Sequence, residues 1–199
     1  MNIGIVIGSM QAESNSAKVG RYIDRQLQQR GLHGITLDLG KTPLPLWGST
    51  DGDQSWDARY QTLSEQFAAC EGFVLISPEY HGMVPAALKN ALLHFGSAVL
   101  AHKPAYIVGV SAGTGGAYPV AELRMSSSKN NRLCFTPEHC IVRQADQVLN
   151  SEEPAQDAQD QHIRRRLDYG LAILVEYAHA LKQVRDSGVI DHTQFANGM

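Results

Sequence analysis

Excess charge of either sign, metal-type cysteine spacing and bilayer-length apolar runs are all missing from this sequence. The 199 residues carry a formal net charge of -3 and show no basic stripe, which argues against a binder held to nucleic acid by phosphate contacts. The longest apolar stretch, "LAILVEYAHAL" (171–181), is interrupted by Glu176 and His179 and reads as a packed helix, not a membrane span. Cys70, Cys134 and Cys140 make an odd count without metal-like spacing. The expectation is free thiols in a reducing, cytoplasmic compartment. The scattered histidines match no zinc signature, so no metal is expected. The chain opens on an apolar strand pattern without the features of a signal peptide. No Ser-His-Asp set and no pair of carboxylates stands out for acid–base work.

What is present fits one α/β domain spanning 1–199, with 43% hydrophobic residues to fill a core. Strands are expected at "IGIVIG" (3–8), "GITLDL" (34–39), "GFVLIS" (72–77) and "AYIVGVS" (105–111), with a weaker one at "HCIVR" (139–143). The first, third and fourth are almost continuously apolar, as strands covered on both faces are. Helical periodicity falls over 16–30, 55–70, 85–101, 117–130 and 157–186. Such alternation predicts a parallel sheet with right-handed crossovers. No repeat, low-complexity tract or interdomain linker is visible. The segment 42–57, rich in Pro and Gly, is long enough to carry function or a contact surface.

In doubly wound sheets, ligands sit beyond the carboxyl ends of the strands. Three loops there are unusual. "GSMQAESNS" (8–16) crowds hydroxyls and amides before a helix, with no Lys or Arg until Lys18. It is neither a Walker loop nor a Gly-x-Gly-x-x-Gly turn. A helix start rich in donors still suits an anion, here a phosphate held by neutral groups. "SPEYHGMVPAALKNALLHF" (77–95) offers a stiff turn at Pro78, an aromatic face at Tyr80 and a flexible backbone at Gly82. It suits a flat, partly polar ligand, or else a sharp turn in which Tyr80 plugs the sheet end. "SAGTGGAY" (111–118) lets backbone lie against a ligand, or serves as a plain turn before a helix. His81 reads as a hydrogen-bonding wall more readily than as a proton shuttle. Lys89 and Asn90 read as capping or ion-pairing groups, and His94 and His102 as helix-surface residues.

Together the three loops resemble the NADPH-dependent FMN reductase family over about residues 1 to 150. "GSMQAESNS" is similar to its phosphate loop Gly-Ser-x-Arg-x-x-Ser. "PEYHGMVPAALKNAL" is similar to its Pro-Glu-Tyr-Asn/His-Gly…Pro…Leu-Lys-Asn-Ala segment, and "SAGTGGAY" to its glycine-rich loop. The resemblance implies a flavodoxin-like, doubly wound, five-stranded parallel sheet of order 2-1-3-4-5, with helices on both faces. It implies that Ser9, Gln11, Ser14, Asn15 and Ser16 hold the phosphate of FMN. Pro78, Glu79, Tyr80, His81 and Gly82 would line the flavin ring, and Ser111, Gly113, Thr114 and Gly115 would approach it from another side. One departure is Gln11, where the family has arginine; glutamine cannot reproduce a charged, forked phosphate contact.

The resemblance further implies an NAD(P)H oxidoreductase passing electrons to a quinone, flavin or similar small acceptor by a ping-pong route, with NADPH or NADH as co-substrate. Flavin chemistry asks little acid–base work of the protein, so no side chain is expected to be catalytic in the strict sense. A homodimer or homotetramer is implied, with 42–57 (Trp47 and Trp56) and the helix 85–101 as candidate surfaces. No nucleic-acid or membrane partner is expected. Two other readings remain open, a flavodoxin-like electron carrier without nicotinamide turnover and a relative that has lost flavin.

Overall fold

A computed structural model describes residues 1–153, 157–195 and 197. In chain order the elements are β1 (Asn2–Ile7), α1 (Asn15–Gln29), β2 (His33–Asp38), α2 (Gln54–Ala68), β3 (Cys70–Pro78), α3 (Ala86–His94), α4 (Ser97–Leu100), β4 (Pro104–Val110), α5 (Ala117–Ser126), β5 (Cys134–Val142) and α6 (Ala158–Asp186). All strand pairs are parallel, and the five-stranded sheet has the order β2-β1-β3-β4-β5. Strand order reverses between β1 and β3, which places the switch point beside the loop 8–14.

The side-chain period of two divides each central strand between two cores. Ile3, Ile5 and Ile7 face one layer with Tyr22, Ile23 and Leu27 of α1 and with Leu167, Leu171 and Leu174 of α6. Val6 faces the other with Phe67, Phe73, Leu88, Phe95 and Leu123. Burying a side chain of this size contributes roughly 1.5–3 kcal/mol, so continuously apolar β1, β3 and β4 anchor the sheet from both sides. The polar starts of α1, α2 and α6 are capped by Ser14, Asp53 and Asp157, whose side chains accept hydrogen bonds from amides in the first turn.

Several expectations are corrected. The stretch 85–101 is two helices, because the chain leaves helical geometry at Phe95 (ψ 83°) and Gly96 (ψ -165°). The helix expected over 117–130 stops at Ser126, before the serine run. β5 begins five residues earlier than expected, at Cys134. Its first half was hidden because Pro137 and Glu138 interrupt the apolar pattern, and the register slips there, Ala105 facing Phe135 while Ile107 faces His139. A bulge on an edge strand tolerates a proline that a central strand would not. Finally, His94 is not a surface residue. It is buried at the end of α3, and its Nε2 donates to Pro45 O at 2.9 Å. His102, also expected on a helix surface, lies in the turn after α4 with φ 54°.

Candidate functional site

The three suspect loops all leave the carboxyl ends of β1, β3 and β4, and hydrogen bonds join them. In the first, Ser9 is fully buried. Its Oγ accepts from Gln11 N at 3.2 Å, which curls the loop, and shares a 2.9 Å hydrogen bond with Tyr80 OH in the second loop. Ser14 caps α1, accepting from Ala17 N at 3.0 Å. Ser16 is buried in the first turn. Asn15 turns its amide toward Asp146, donating to Oδ1 at 2.6 Å. Gln11 is exposed, and its side chain has no hydrogen-bond partner among the described residues.

The second loop is a tight turn. Glu79 N donates to Val110 O at 3.0 Å, extending the sheet past Pro78. Tyr80 and Met83 then exchange both backbone hydrogen bonds, at 3.2 and 3.0 Å. The corners are His81 (φ 52°) and Gly82 (φ 76°), a pair of left-handed residues as a primed two-residue turn requires. Of the amides in 78–83, only those of His81 and Gly82 lack a partner among the described residues. The ring of Tyr118, exposed at the start of α5, approaches Gly82.

The third loop is stitched to β5. Ser111 N donates to Val142 O at 2.9 Å, and Ser111 Oγ accepts from Gly113 N at 3.2 Å. Gln144 N donates to Gly113 O at 2.8 Å, and Arg143 Nε donates to Gly115 O at 3.1 Å. Glu79 Oε2 accepts from Gly116 N at 2.6 Å, tying this loop to the second. Thr114 is exposed and makes no side-chain hydrogen bond among the described residues.

Lys18 and Lys89 are the nearest lysines to these loops in sequence, and both are engaged. Lys18 Nζ donates to Ala145 O and Asn150 Oδ1, each at 2.6 Å. Burial pushes its pKa down further than neighbouring Asp146 raises it. Lys89 pairs with Glu122, whose carboxylate also accepts from Val84 N at 2.8 Å. The hydrogen bond from Lys89, and then that from Val84, holds Glu122 below the usual carboxylate range. Asn90 is structural too. It accepts from Trp47 N at 2.8 Å and donates to Pro45 O at 2.7 Å, pinning the loop after β2 to α3.

The donor set suits a phosphate next to a flat heterocycle. The start of α1 presents the amides of Asn15 and Ser16, which have no partner among the described residues, at the positive end of a 15-residue helix. The buried hydroxyl of Ser9 is shared between Gln11 N and Tyr80 OH. The two open amides of the His81–Gly82 turn suit the acceptor edge of a ring. These residues fit FMN, although the first loop brings no cation of its own.

The fold is a flavodoxin-like α/β sheet with three hydrogen-bonded loops at the carboxyl ends of its central strands. The chain belongs to the NADPH-dependent FMN reductase family, whose pattern matches residues 1–147. It is 29% identical over 124 residues to an FMN-dependent NADPH-azoreductase of Staphylococcus aureus, a match spanning 61% of this chain and 66% of the relative. In fold it is similar to a flavoenzyme NAD(P)H:(acceptor) oxidoreductase of Paracoccus denitrificans, at 19% identity and a TM-score of 0.66 over 90% of this chain and 97% of that one. It is also similar to an NAD(P)H:quinone oxidoreductase of Methanothermobacter marburgensis, at 15% identity and a TM-score of 0.58 over 87% and 98%. Among the described residues no helix is long and apolar enough to cross a membrane, and no cluster of His, Cys, Asp and Glu is arranged to hold a metal.

Arg143, Asp146 and Tyr118, which contact Gly115, Asn15 and Gly82 of these loops, were not anticipated. The run "HCIVR" already placed Arg143 at a strand end. The loop beyond β5 carried that signal.

Proposed function

We propose that the protein is an FMN-dependent NAD(P)H oxidoreductase that passes electrons from a nicotinamide to a quinone, flavin, azo or similar conjugated acceptor. The observation that carries this reading is the joining of the three loops by Ser9–Tyr80 and Glu79–Gly116 into one continuous rim at the sheet's switch point. Family membership and the azoreductase relative support it. Bound FMN would take a hydride from the nicotinamide and hand electrons on. The chain's part is to bind and orient. Ser9, Ser14, Asn15 and Ser16 hold the phosphate with the amides of α1, and Gln11 lies beside it. Pro78, Glu79, Tyr80, His81 and Gly82 line one edge of the ring, and Ser111, Gly113, Thr114 and Gly115 another. The open amides of His81 and Gly82 stabilise negative charge that builds at the ring edge on reduction.

One exposed ring face serves both substrates in turn, which makes the kinetics ping-pong. We further propose a homodimer or homotetramer built on the surface between α3 and α5. Mixing the FMN-loaded protein with NADPH or NADH without oxygen should bleach the flavin, and a quinone added afterwards should restore its colour. Parallel initial-rate lines are expected. Flavin binding without bleaching by either nicotinamide would instead identify an electron carrier.

A further inference from the structure

The Gly115–Gly116 peptide group is gripped at both ends. Its carbonyl, on Gly115, accepts from Arg143 Nε at 3.1 Å. Its N–H, on Gly116, donates to Glu79 Oε2 at 2.6 Å. A carboxylate thus sits on the positive end of the peptide dipole and a guanidinium on the negative end, so both contacts are charge-assisted. The two side chains come from different strands. Glu79 follows β3 and is itself fixed by its amide to Val110 O, and Arg143 follows β5. The peptide they hold belongs to the loop after β4, so three neighbouring strand ends are locked to one another.

The sequence permits this grip in only one way. A Cβ at Gly115 would lie 2.7 Å from Glu79 Oε1, so any side chain there would drive the carboxylate off. Gly116 has φ 99°, which a side chain would oppose, and it starts α5 from that conformation. Gly113 is held by Gln144 N and Ser111 Oγ, and the 115–116 peptide by Glu79 and Arg143.

We propose that Glu79 and Arg143 are positioning residues for the flavin ring, acting through the 115–116 peptide, and that the charge of Glu79 also tunes the ring's reduction. This rests on the flavin reading above. Removal of Glu79 frees the loop and loosens whatever lies against it. Replacement by glutamine keeps an oxygen for the Gly116 N–H but deletes a negative charge beside a group that gains negative charge on reduction.

Two variants and two readouts test this. Hydrogen exchange of 111–118 in the flavin-free protein should quicken in Glu79→Ala and stay near wild type in Glu79→Gln. In flavin titrations, Glu79→Ala should weaken FMN and riboflavin alike by about tenfold, since the loss is on the ring side. Glu79→Gln should weaken both flavins less than Glu79→Ala does, and should raise the midpoint potential of bound FMN. Arg143→Gln should lower it. Unchanged exchange in Glu79→Ala would overturn the grip. A glutamine variant as damaged as the alanine one, or unshifted in potential, would overturn the role of charge. Failure of the wild type to bind any flavin would defeat the flavin reading, and with it the positioning role, while exchange still judged the grip.

Discussion

Ser9 and Tyr80 hold each other through their hydroxyls at 2.9 Å, across 71 positions of sequence, and so join the loops after β1 and β3. Ser9 is fully buried, and without Tyr80 its hydroxyl keeps only the amide of Gln11 as a partner. Ser9→Ala and Tyr80→Phe should each cost about 0.5–1.5 kcal/mol. At this chain length that is a fall of roughly 2–4 °C in Tm per kcal/mol. Because both changes remove the same bond, the double variant should be little worse than the poorer single one. A double-mutant cycle by thermal unfolding measures this, and fully additive losses would show that the hydroxyls are not coupled.

The loop 8–16 carries no Lys or Arg, and Lys18 and Arg124 are engaged elsewhere. Lys18 is spent on Ala145 and Asn150. Arg124 donates to the carbonyls of Thr136 and Pro137, in the first half of β5 and so away from the carboxyl ends of the strands. Gln11 is exposed and adds no charge. Gln11→Arg should therefore tighten FMN binding by about tenfold, equivalent to about 1.4 kcal/mol. Riboflavin, which has no phosphate, should gain little. Titrating both flavins against both proteins reads this directly. An equal gain for the two would place position 11 away from the phosphate.

Most of the fold was legible because β1, β3 and β4 are buried on both faces, and continuous apolarity is a local signal. The turns after them were legible because Ser, Gly, Pro and Tyr at those spacings have local consequences, and the structure joins these loops through Ser9–Tyr80 and Glu79–Gly116. What escaped depended on distant partners. Nothing around Glu79 announces that its carboxylate meets Gly116, 37 positions on. Asn90 was readable as a capping or pairing group, but not as the anchor of Pro45 and Trp47. β5 was half hidden, because a bulged edge strand does not need the alternation that sequence patterns detect.

Lys103 gives a pH-dependent signature. It is buried at the start of β4, with Nζ donating to Ala68 O at 2.7 Å, and burial pushes its pKa down to about 8 from 10.5. Below pH 8 folded and unfolded chains both carry the proton, so Lys103 adds no slope. Between about pH 8 and 10.5 the unfolded chain holds a proton that the native state has released, and stability rises with pH. Burial of Cys70 and Cys140 pushes their thiols up to about 11 from 9, which works in the opposite direction above pH 9. The clean quantity is therefore the difference between wild type and Lys103→Met. Denaturant unfolding should show wild type gaining roughly 1–3 kcal/mol on the variant from pH 7.5 to 10. A constant difference across that range would mean that Lys103 is solvated in the native state.

The proposed homo-oligomer would use the surface between α3 and α5. Leu93, Trp47 and Met125 are 56%, 60% and 82% exposed there. Leu93 and Trp47 border a groove of about 670 Å³ that is closed on the other side by Ser126, Lys129 and Asn130. Trp56, first counted with Trp47 as a contact residue, does not belong to it. It is buried in its own chain, its ring centroid 5.2 Å from that of His94 and 5.8 Å from that of Tyr60. Trp47 is therefore the tryptophan left to meet a partner, and Asn90 fixes its backbone at 2.8 Å. Leu93→Glu would bring a charge into a desolvated interface while remaining hydrated in a monomer, so it should split the assembly without unfolding the chain. Sedimentation at micromolar concentration should show a wild-type dimer or tetramer and a monomeric variant, with Tm changed only by the loss of association. A wild type that sediments as a monomer at that concentration would rule out this surface as a stable interface.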